Sequence, residues 1–176
     1  MKKGLMAVTI MSVLAAASVN ATASDGTISF TGSVTDTACA MDIGATNELT
    51  VAMGSVAKTA FTGVGSTASA TEFDIKVKDC PATAKTATVK FDGTTYSGDN
   101  AVLALDTPET GTAATGVGIQ IKDSAQKVVP LFTASSSYTL AEGANTLPFV
   151  ASYIQKEATV VSGVANATAQ FTLNYN

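Results

Sequence analysis

Residues 25–34 read Asp-Gly-Thr-Ile-Ser-Phe-Thr-Gly-Ser-Val, and every second position from residue 28 onward is apolar or glycine. Ile28, Phe30, Gly32 and Val34 would share one face of an extended chain, because successive side chains of a β-strand point to opposite faces. This period of two predicts a strand. Gly32 stands where a large side chain is expected, which indicates a close approach by a partner backbone.

The same alternation recurs further along the chain. Phe73, Ile75 and Val77 alternate with charged residues, which predicts a strand with one buried and one solvated face. Other short strands are predicted at 49–53, 88–91, 102–105, 117–121, 128–132, 147–153 and 170–175. Residues 62–71 and 107–115 are rich in Ala, Gly, Ser and Thr and are predicted to be surface loops. No useful helical periodicity is present, so the pattern predicts one all-β sandwich.

The chain begins with a segment typical of export. Lys2 and Lys3 precede an apolar stretch over residues 5–17, and Ala21-Thr22-Ala23 then provides a small-residue cleavage pattern. The stretch is too short to cross the roughly 30 Å of a bilayer core, so a transmembrane anchor is disfavoured. We expect cleavage after Ala23, with Ala21 as the alternative site.

The only cysteines are Cys39 and Cys80. Export brings both to an oxidising compartment, where such a pair is expected to form a disulfide. The alternative is two separate buried thiols.

The composition disfavours catalysis and nucleic-acid binding. The chain has no histidine, and its formal net charge of −4 becomes more negative once Lys2 and Lys3 are removed. Its carboxylates are scattered without a spacing that selects a pair. Residues 63–68 match a dinucleotide-binding pattern but lack the strand and helix that it requires. We therefore expect no enzyme activity, cofactor, metal site or nucleic-acid partner.

The C-terminal residues repeat the pattern of residues 25–34. Phe171, Leu173 and Tyr175 alternate with polar residues up to Asn176, which predicts a second strand with one apolar face. The pattern alone leaves two arrangements open. Both strands can pair within one sandwich, or one of them can pair with another molecule.

Together these segments resemble the chaperone-usher pilins, most closely the major subunit of type 1-like fimbriae. Four features carry the resemblance over essentially the whole exported part: residues 26–34 ahead of Cys39, the block from Phe73 to Cys80, residues 145–149, and the terminal strand with Tyr175. The resemblance implies an incomplete immunoglobulin-like sandwich that lacks its last strand. It also implies a signal peptide at 1–23, an N-terminal donor-strand extension at 24–38 and a pilin domain at 39–176.

The resemblance further implies how the chain assembles. Its donor strand, Ile28, Phe30, Gly32 and Val34, would fill the groove of an identical subunit after displacing a periplasmic chaperone at the outer-membrane usher. Phe171, Leu173 and Tyr175 would form the groove edge, and the carboxylate of Asn176 would be held by the chaperone. The product would be a surface fibre used in adhesion.

Two alternatives to the major shaft subunit remain. The chain could be a minor adaptor or terminator subunit of the same kind of fibre. It could instead be a soluble exported immunoglobulin-like domain that binds a ligand, in which case no donor strand would be needed.

Overall fold

The computed structural model describes residue 26, residues 28–32 and residues 38–175, so the expected signal peptide lies outside the described residues. The chain divides into two compact units, Met1–Val34 and Thr35–Asn176. In the first unit, residues 28–32 form no strand, and the side chains of Ile28 and Phe30 are 79% and 92% exposed.

The described part of the second unit contains nine strands in two sheets. Six strands form one sheet in the order β1-β2-β8-β6-β5-β4, and three form the other in the order β7-β3-β9. The strands are β1 Ala40–Met41, β2 Thr67–Cys80, β3 Thr86–Gly93, β4 Thr95–Tyr96, β5 Asp99–Leu103, β6 Val117–Asp123, β7 Tyr138–Thr139, β8 Gly143–Gln155 and β9 Ala169–Tyr175. A short 3₁₀ helix spans Lys58–Ala60, and no helix in the described residues is long and apolar enough to cross a membrane.

The long antiparallel pair β2 and β8 forms the centre of the larger sheet. Ile75 lies opposite Leu147, and Phe73 lies opposite Phe149. Ile75, Leu147 and Phe149 are almost completely buried, while the alternate residues of β2 are exposed. The prediction of one buried and one solvated face for this strand is therefore confirmed.

The core lies between the two sheets. Phe91 from β3 meets Phe149 from β8 with a ring separation of 5.2 Å in an edge-on arrangement, and Phe149 stacks on Phe73 at 5.6 Å. Such aromatic pairs contribute about 0.5–1.5 kcal/mol each beyond their burial. This aromatic cluster joins the sheets across the sandwich.

The predicted disulfide is confirmed, because Cys39 and Cys80 are bonded across a sequence separation of 41 residues. Both residues are buried. The bridge ties the start of the domain to the end of β2. Closing a loop of this length reduces the entropy of the unfolded chain, which corresponds to about 4 kcal/mol of stability.

Three local predictions are wrong. Residues 49–53 form no strand, and residues 49–52 line an open cleft of about 600 Å³ together with residues 71–74 of β2. Residues 128–132 form no strand either, because Pro130 lacks an N–H and Phe132 has a positive φ of 65°. The predicted loop at 62–71 ends early, since β2 begins at Thr67 and pairs with the end of β8.

One carboxyl is completely buried. Asp123, at the end of β6, accepts hydrogen bonds from the backbone N–H groups of Ala125 and Lys127 at 3.0 Å and of Ser136 at 3.2 Å. Burial by itself raises the pKa of this carboxyl, but these hydrogen bonds outweigh burial and lower the pKa below its ordinary value. The ionised Asp123 side chain therefore joins the turn that contains Ala125 and Lys127 to the turn at Ser136.

We expect Asp123→Asn to lower the free energy of unfolding by about 1.5–3 kcal/mol at neutral pH, because an amide offers one acceptor and turns a donor towards Ser136. The folded-state pKa is depressed, so the charge stabilises the fold above the unfolded pKa, about 3.9 for aspartate. That stability is lost as the pH falls through the folded pKa. Urea unfolding at pH 7 and pH 3 measures both effects, and exposed Asp74→Asn is the control. If Asp123→Asn lowered the free energy of unfolding by the same amount at pH 7 and at pH 3, the role of the charge would be contradicted.

Candidate functional site

The last strand, β9, is half-covered by its own domain. It pairs with β3 from Ala87 opposite Tyr175 to Gly93 opposite Ala169, and it is the edge of its sheet in the described part of the chain. Phe171, Leu173 and Tyr175 face the core but are only partly buried, whereas Val89 and Phe91 on β3 are fully buried. The inner face of β9 therefore has room for a further apolar element.

A strandless segment, residues 49–57, packs partly against the core and lies beside β2. Met53 and Val56 are partly buried against the core. The carbonyl of Met53 accepts a hydrogen bond of 2.6 Å from the Ser69 hydroxyl, which anchors the segment to β2. Backbone groups of this segment are not part of any sheet.

Other parts of the chain lie near both ends of β9. At the C-terminal end, the Tyr175 hydroxyl is hydrogen-bonded to the backbone of Cys39. At the N-terminal end, Val56 and Phe61 line a cavity of about 290 Å³ together with Ala165. We call the partly covered apolar face of β9, formed by Phe171, Leu173 and Tyr175, the β9 groove.

The walls of the β9 groove are apolar and neutral. Burial raises the pKa of the Tyr175 phenol, and the hydrogen bond from Cys39 only partly offsets that effect. The outward-facing residues of β9, such as Thr172 and Asn174, are polar and exposed. A strand edge that exposes main-chain groups beside half-buried apolar side chains is a template for pairing with another strand.

The predicted donor residues lie in the other unit of the chain. Ile28 and Phe30 are among its most exposed large apolar side chains, and a Cβ added to Gly32 would meet no atom within 4 Å. Val34 and Asn176 lie outside the described residues. The extension therefore carries exposed apolar side chains, and the domain carries an apolar groove. Insertion of the first into the second is a proposal.

Neither the β9 groove nor the rest of the described chain assembles a recognisable catalytic site. No group of three His, Cys, Asp or Glu residues among the described residues could hold a metal ion. The glycine-rich residues 63–66 form a turn that is held by Gln155, whose side-chain oxygen accepts a hydrogen bond of 3.0 Å from the N–H of Gly63. This turn leads into a strand, so the dinucleotide-binding pattern has no structural counterpart here.

The sequence does not predict that Met53 and Val56 pack against the core. Met53 and Val56 belong to a segment that was predicted, in part, to be an ordinary strand. The contact between Tyr175 and Cys39 was also unforeseen, although both residues had been singled out for other reasons. A departure from strict alternation at Val56 and Ala57 is the only sequence signal that could have indicated this packing against the core.

Comparisons with known proteins agree with this architecture. Residues 28–176 match the model of a family described as fimbrial protein. The chain is 38% identical over 176 residues to long polar fimbria protein A of Salmonella typhimurium, covering 99% of this chain and 97% of the relative. A type I fimbria protein of Burkholderia pseudomallei is 45% identical, with a TM-score of 0.58, covering 85% of this chain and 97% of that chain.

The fold is also found in a solved chaperone-usher pilus. Its subunit superimposes with a TM-score of 0.65 at 23% identity, covering 87% of this chain and 96% of that chain. The predicted all-β, immunoglobulin-like class is thereby confirmed.

Proposed function

The chain belongs to the fimbrial protein family, and we propose that it is the structural subunit of a chaperone-usher fimbria that polymerises by donor-strand exchange. One observation carries this proposal. The same chain has an extension with exposed Ile28 and Phe30 and a domain whose edge strand, β9, has an apolar face that is only partly buried. Each subunit can therefore supply what the next one lacks.

Insertion of the extension is favourable on simple physical grounds. Burying Ile28, Phe30 and Val34 contributes about 1.5–3 kcal/mol for each side chain before the cost of ordering the segment. Main-chain hydrogen bonds to the free edge of β9 add to this and set the register. A head-to-tail contact of this kind does not close on itself, and so it generates a filament.

The positions of the chain ends favour an antiparallel insertion. The extension leaves the domain at Cys39, beside Tyr175 at the end of β9. An incoming strand antiparallel to β9 starts at that end and finishes beside Ala169, so the body of the donating subunit lies at the opposite end of the domain. Subunits can then follow one another in a line without competing for the end that holds Cys39.

Side-chain sizes favour one register of this antiparallel pair. With Gly32 opposite Phe171, the glycine lies in the same cross-strand row as the paired residues Phe91 and Phe171. Phe30 then faces Leu173, and Val34 faces the small Ala169. In the parallel alternative, Phe30 would lie opposite Phe171. A third phenylalanine beside Phe91 and Phe171 would overpack this part of the core.

The proposal includes the route of assembly. We place a signal peptide at 1–23, the donor-strand extension at 24–38 and the pilin domain at 39–176. A chaperone in the periplasm would cover the groove until the usher replaces it with the next subunit, and the fibre would reach the cell surface. A dedicated cover is needed because an exposed apolar strand edge promotes aggregation. No catalysis is required for this role.

Cysteine pairs on the outward-facing positions test the orientation. In the proposed register Ser29 lies opposite Asn174, whereas the parallel alternative places Ser29 opposite Gln170. Ser29→Cys with Asn174→Cys should give fibres that remain a covalent ladder after heating without reductant, because directly opposite residues satisfy disulfide geometry. Ser29→Cys with Gln170→Cys is the matched control and should give monomers. A ladder only in the control would reverse the orientation, and fibres without a ladder in either pair would refute insertion beside β9.

A further inference from the structure

Three loops form the end of the domain that lies opposite Cys39. They are residues 62–66, 112–116 and 158–164, and we call them the far pole. β2 and β6 begin here at Thr67 and Val117, and β8 ends here at Gln155. At the other end, the extension pole, Cys80 at the end of β2 lies opposite Gly143 and is bonded to Cys39.

The far pole has an unusual surface for this acidic chain. Its three loops contain no charged residue, but Lys156 and the exposed Glu157 border them, and the N–H groups of both donate to the carbonyl of Gly116. Val64 and Val161 are 63% and 48% exposed, which makes them two of the few large apolar side chains left exposed on the described domain. Exposed apolar residues that are rimmed by polar and charged residues are typical of a protein interface.

The loops of the far pole are held in place without any partner. Thr115 and Val161 exchange two backbone hydrogen bonds of 3.1 Å, and the N–H of Gly65 donates to the carbonyl of Gln155 at 2.8 Å. A Cβ added to Gly116 would collide with the carbonyl oxygen of Thr159, so the loops pack closely there. The surface is therefore preformed, which reduces the entropy cost of binding.

Chain length identifies the occupant. If Val34 of an incoming subunit lies beside Ala169, only four residues separate it from Cys39 of its own domain. Five peptide steps span at most about 17 Å, so the extension pole of that subunit must sit next to the far pole. The extension pole presents an uncharged turn over residues 81–84, closed by a 3.0 Å hydrogen bond from Ala84 to Pro81, with Ala82 and Thr83 exposed.

We infer that the far pole is a docking surface for the extension pole of the next copy of this chain, so that consecutive domains touch directly as well as through the inserted strand. This inference rests on the proposed function. Val64 and Val161 then pack against the turn at residues 81–84, and the contact limits bending at each junction of the fibre.

Assemblies of only two subunits test this contact, because they contain a single junction and no lateral neighbours. Val161→Cys with Ala82→Cys is treated with oxidant and, separately, with a short bis-maleimide linker. We expect about ten-fold more covalent dimer than in the control pair Glu72→Cys with Ala82→Cys, since disulfides form only between residues whose Cα atoms come within about 7 Å. Glu72 is exposed in the middle of β2, away from both poles. Val64→Cys with Ala82→Cys repeats the test at a second position.

The outcomes separate this inference from the proposed function on which it rests. A dimer that is cross-linked through Ser29→Cys and Asn174→Cys, but through neither far-pole pair, would leave strand insertion intact and overturn the docking surface. Equal cross-linking of the Glu72 control would also overturn it, because the domains would then have no fixed contact. Failure of the pair at residues 29 and 174 would remove the proposed function, and the docking surface with it.

Discussion

Fibres should disappear when Gly32 is replaced by tryptophan. In the proposed register an indole at this position would be driven against Phe171, where Phe91 already fills the core behind it. Overpacking by even a few methylene groups costs about 1–3 kcal/mol, and an indole is far larger. The measurement is the ladder of heat-labile polymers on a gel, together with electron microscopy of the cell surface.

The matched control for this change is Thr31→Trp. Residue 31 alternates with Gly32, so its side chain points away from the groove in the proposed register. That variant should still form fibres, and the Gly32→Trp subunit should still fold on its chaperone. Long fibres from cells that carry only the Gly32→Trp subunit would contradict the donor-strand proposal.

The second large effect is expected at the end of β9. Replacing Tyr175 with aspartate puts a charge where a half-buried phenol now contacts the backbone of Cys39, and deleting residues 174–176 removes the C-terminal end of the edge strand. Burying an unpaired carboxylate carries a cost of several kcal/mol. We expect the subunit to lose its chaperone complex and to be degraded.

Co-purification with the cognate chaperone measures this effect against the wild-type subunit. Asn174→Asp is the control, because it adds the same charge to the exposed, outward-facing side of the same strand. If the truncated subunit accumulates as a soluble, monomeric and protease-resistant domain without a chaperone, its sandwich is complete by itself and the incomplete-fold account fails.

The parts of the fold that follow local rules could be predicted from the sequence. β9 and residues 73–78 of β2 alternate apolar and polar residues, so these strands and their buried faces were foreseeable. The Cys39–Cys80 bridge required only the export signal and a count of cysteines. These features depend on neighbouring residues and on the redox compartment.

The parts that depend on distant contacts could not be predicted. Residues 49–53 have the composition of a strand but form none, and residues 49–52 line the open cleft beside β2. Small residues such as Thr67 and Ala68 are strand residues because the end of β8 lies beside them, at Ile154 and Tyr153. The hydrogen bonds of Asp123 likewise depend on a second turn, because Ser136 lies 13 residues further along the chain.

For the candidate site, the sequence predicted the two complementary pieces but not the space between them. Alternation marked Ile28 and Phe30 on one segment and Phe171 and Leu173 on another. The half-exposure of β9 appears only once the sheet order leaves it with β3 as its partner. Alternation alone could not decide between pairing within the domain and pairing with another molecule, because both arrangements need the same apolar faces.

The most direct test of the central claim supplies the missing strand within one chain. A second copy of residues 25–35 is fused after Asn176 through a short flexible linker that reverses the chain, so that the added strand starts beside Tyr175 and runs antiparallel to β9. Because burial of Ile28, Phe30 and Val34 contributes about 1.5–3 kcal/mol for each side chain, the fusion should be monomeric, should fold without its chaperone, and should exceed the unmodified subunit by several kcal/mol in free energy of unfolding. A fusion that still polymerises, or whose free energy of unfolding equals that of a fusion carrying Gly32→Trp in the added copy, would contradict the account.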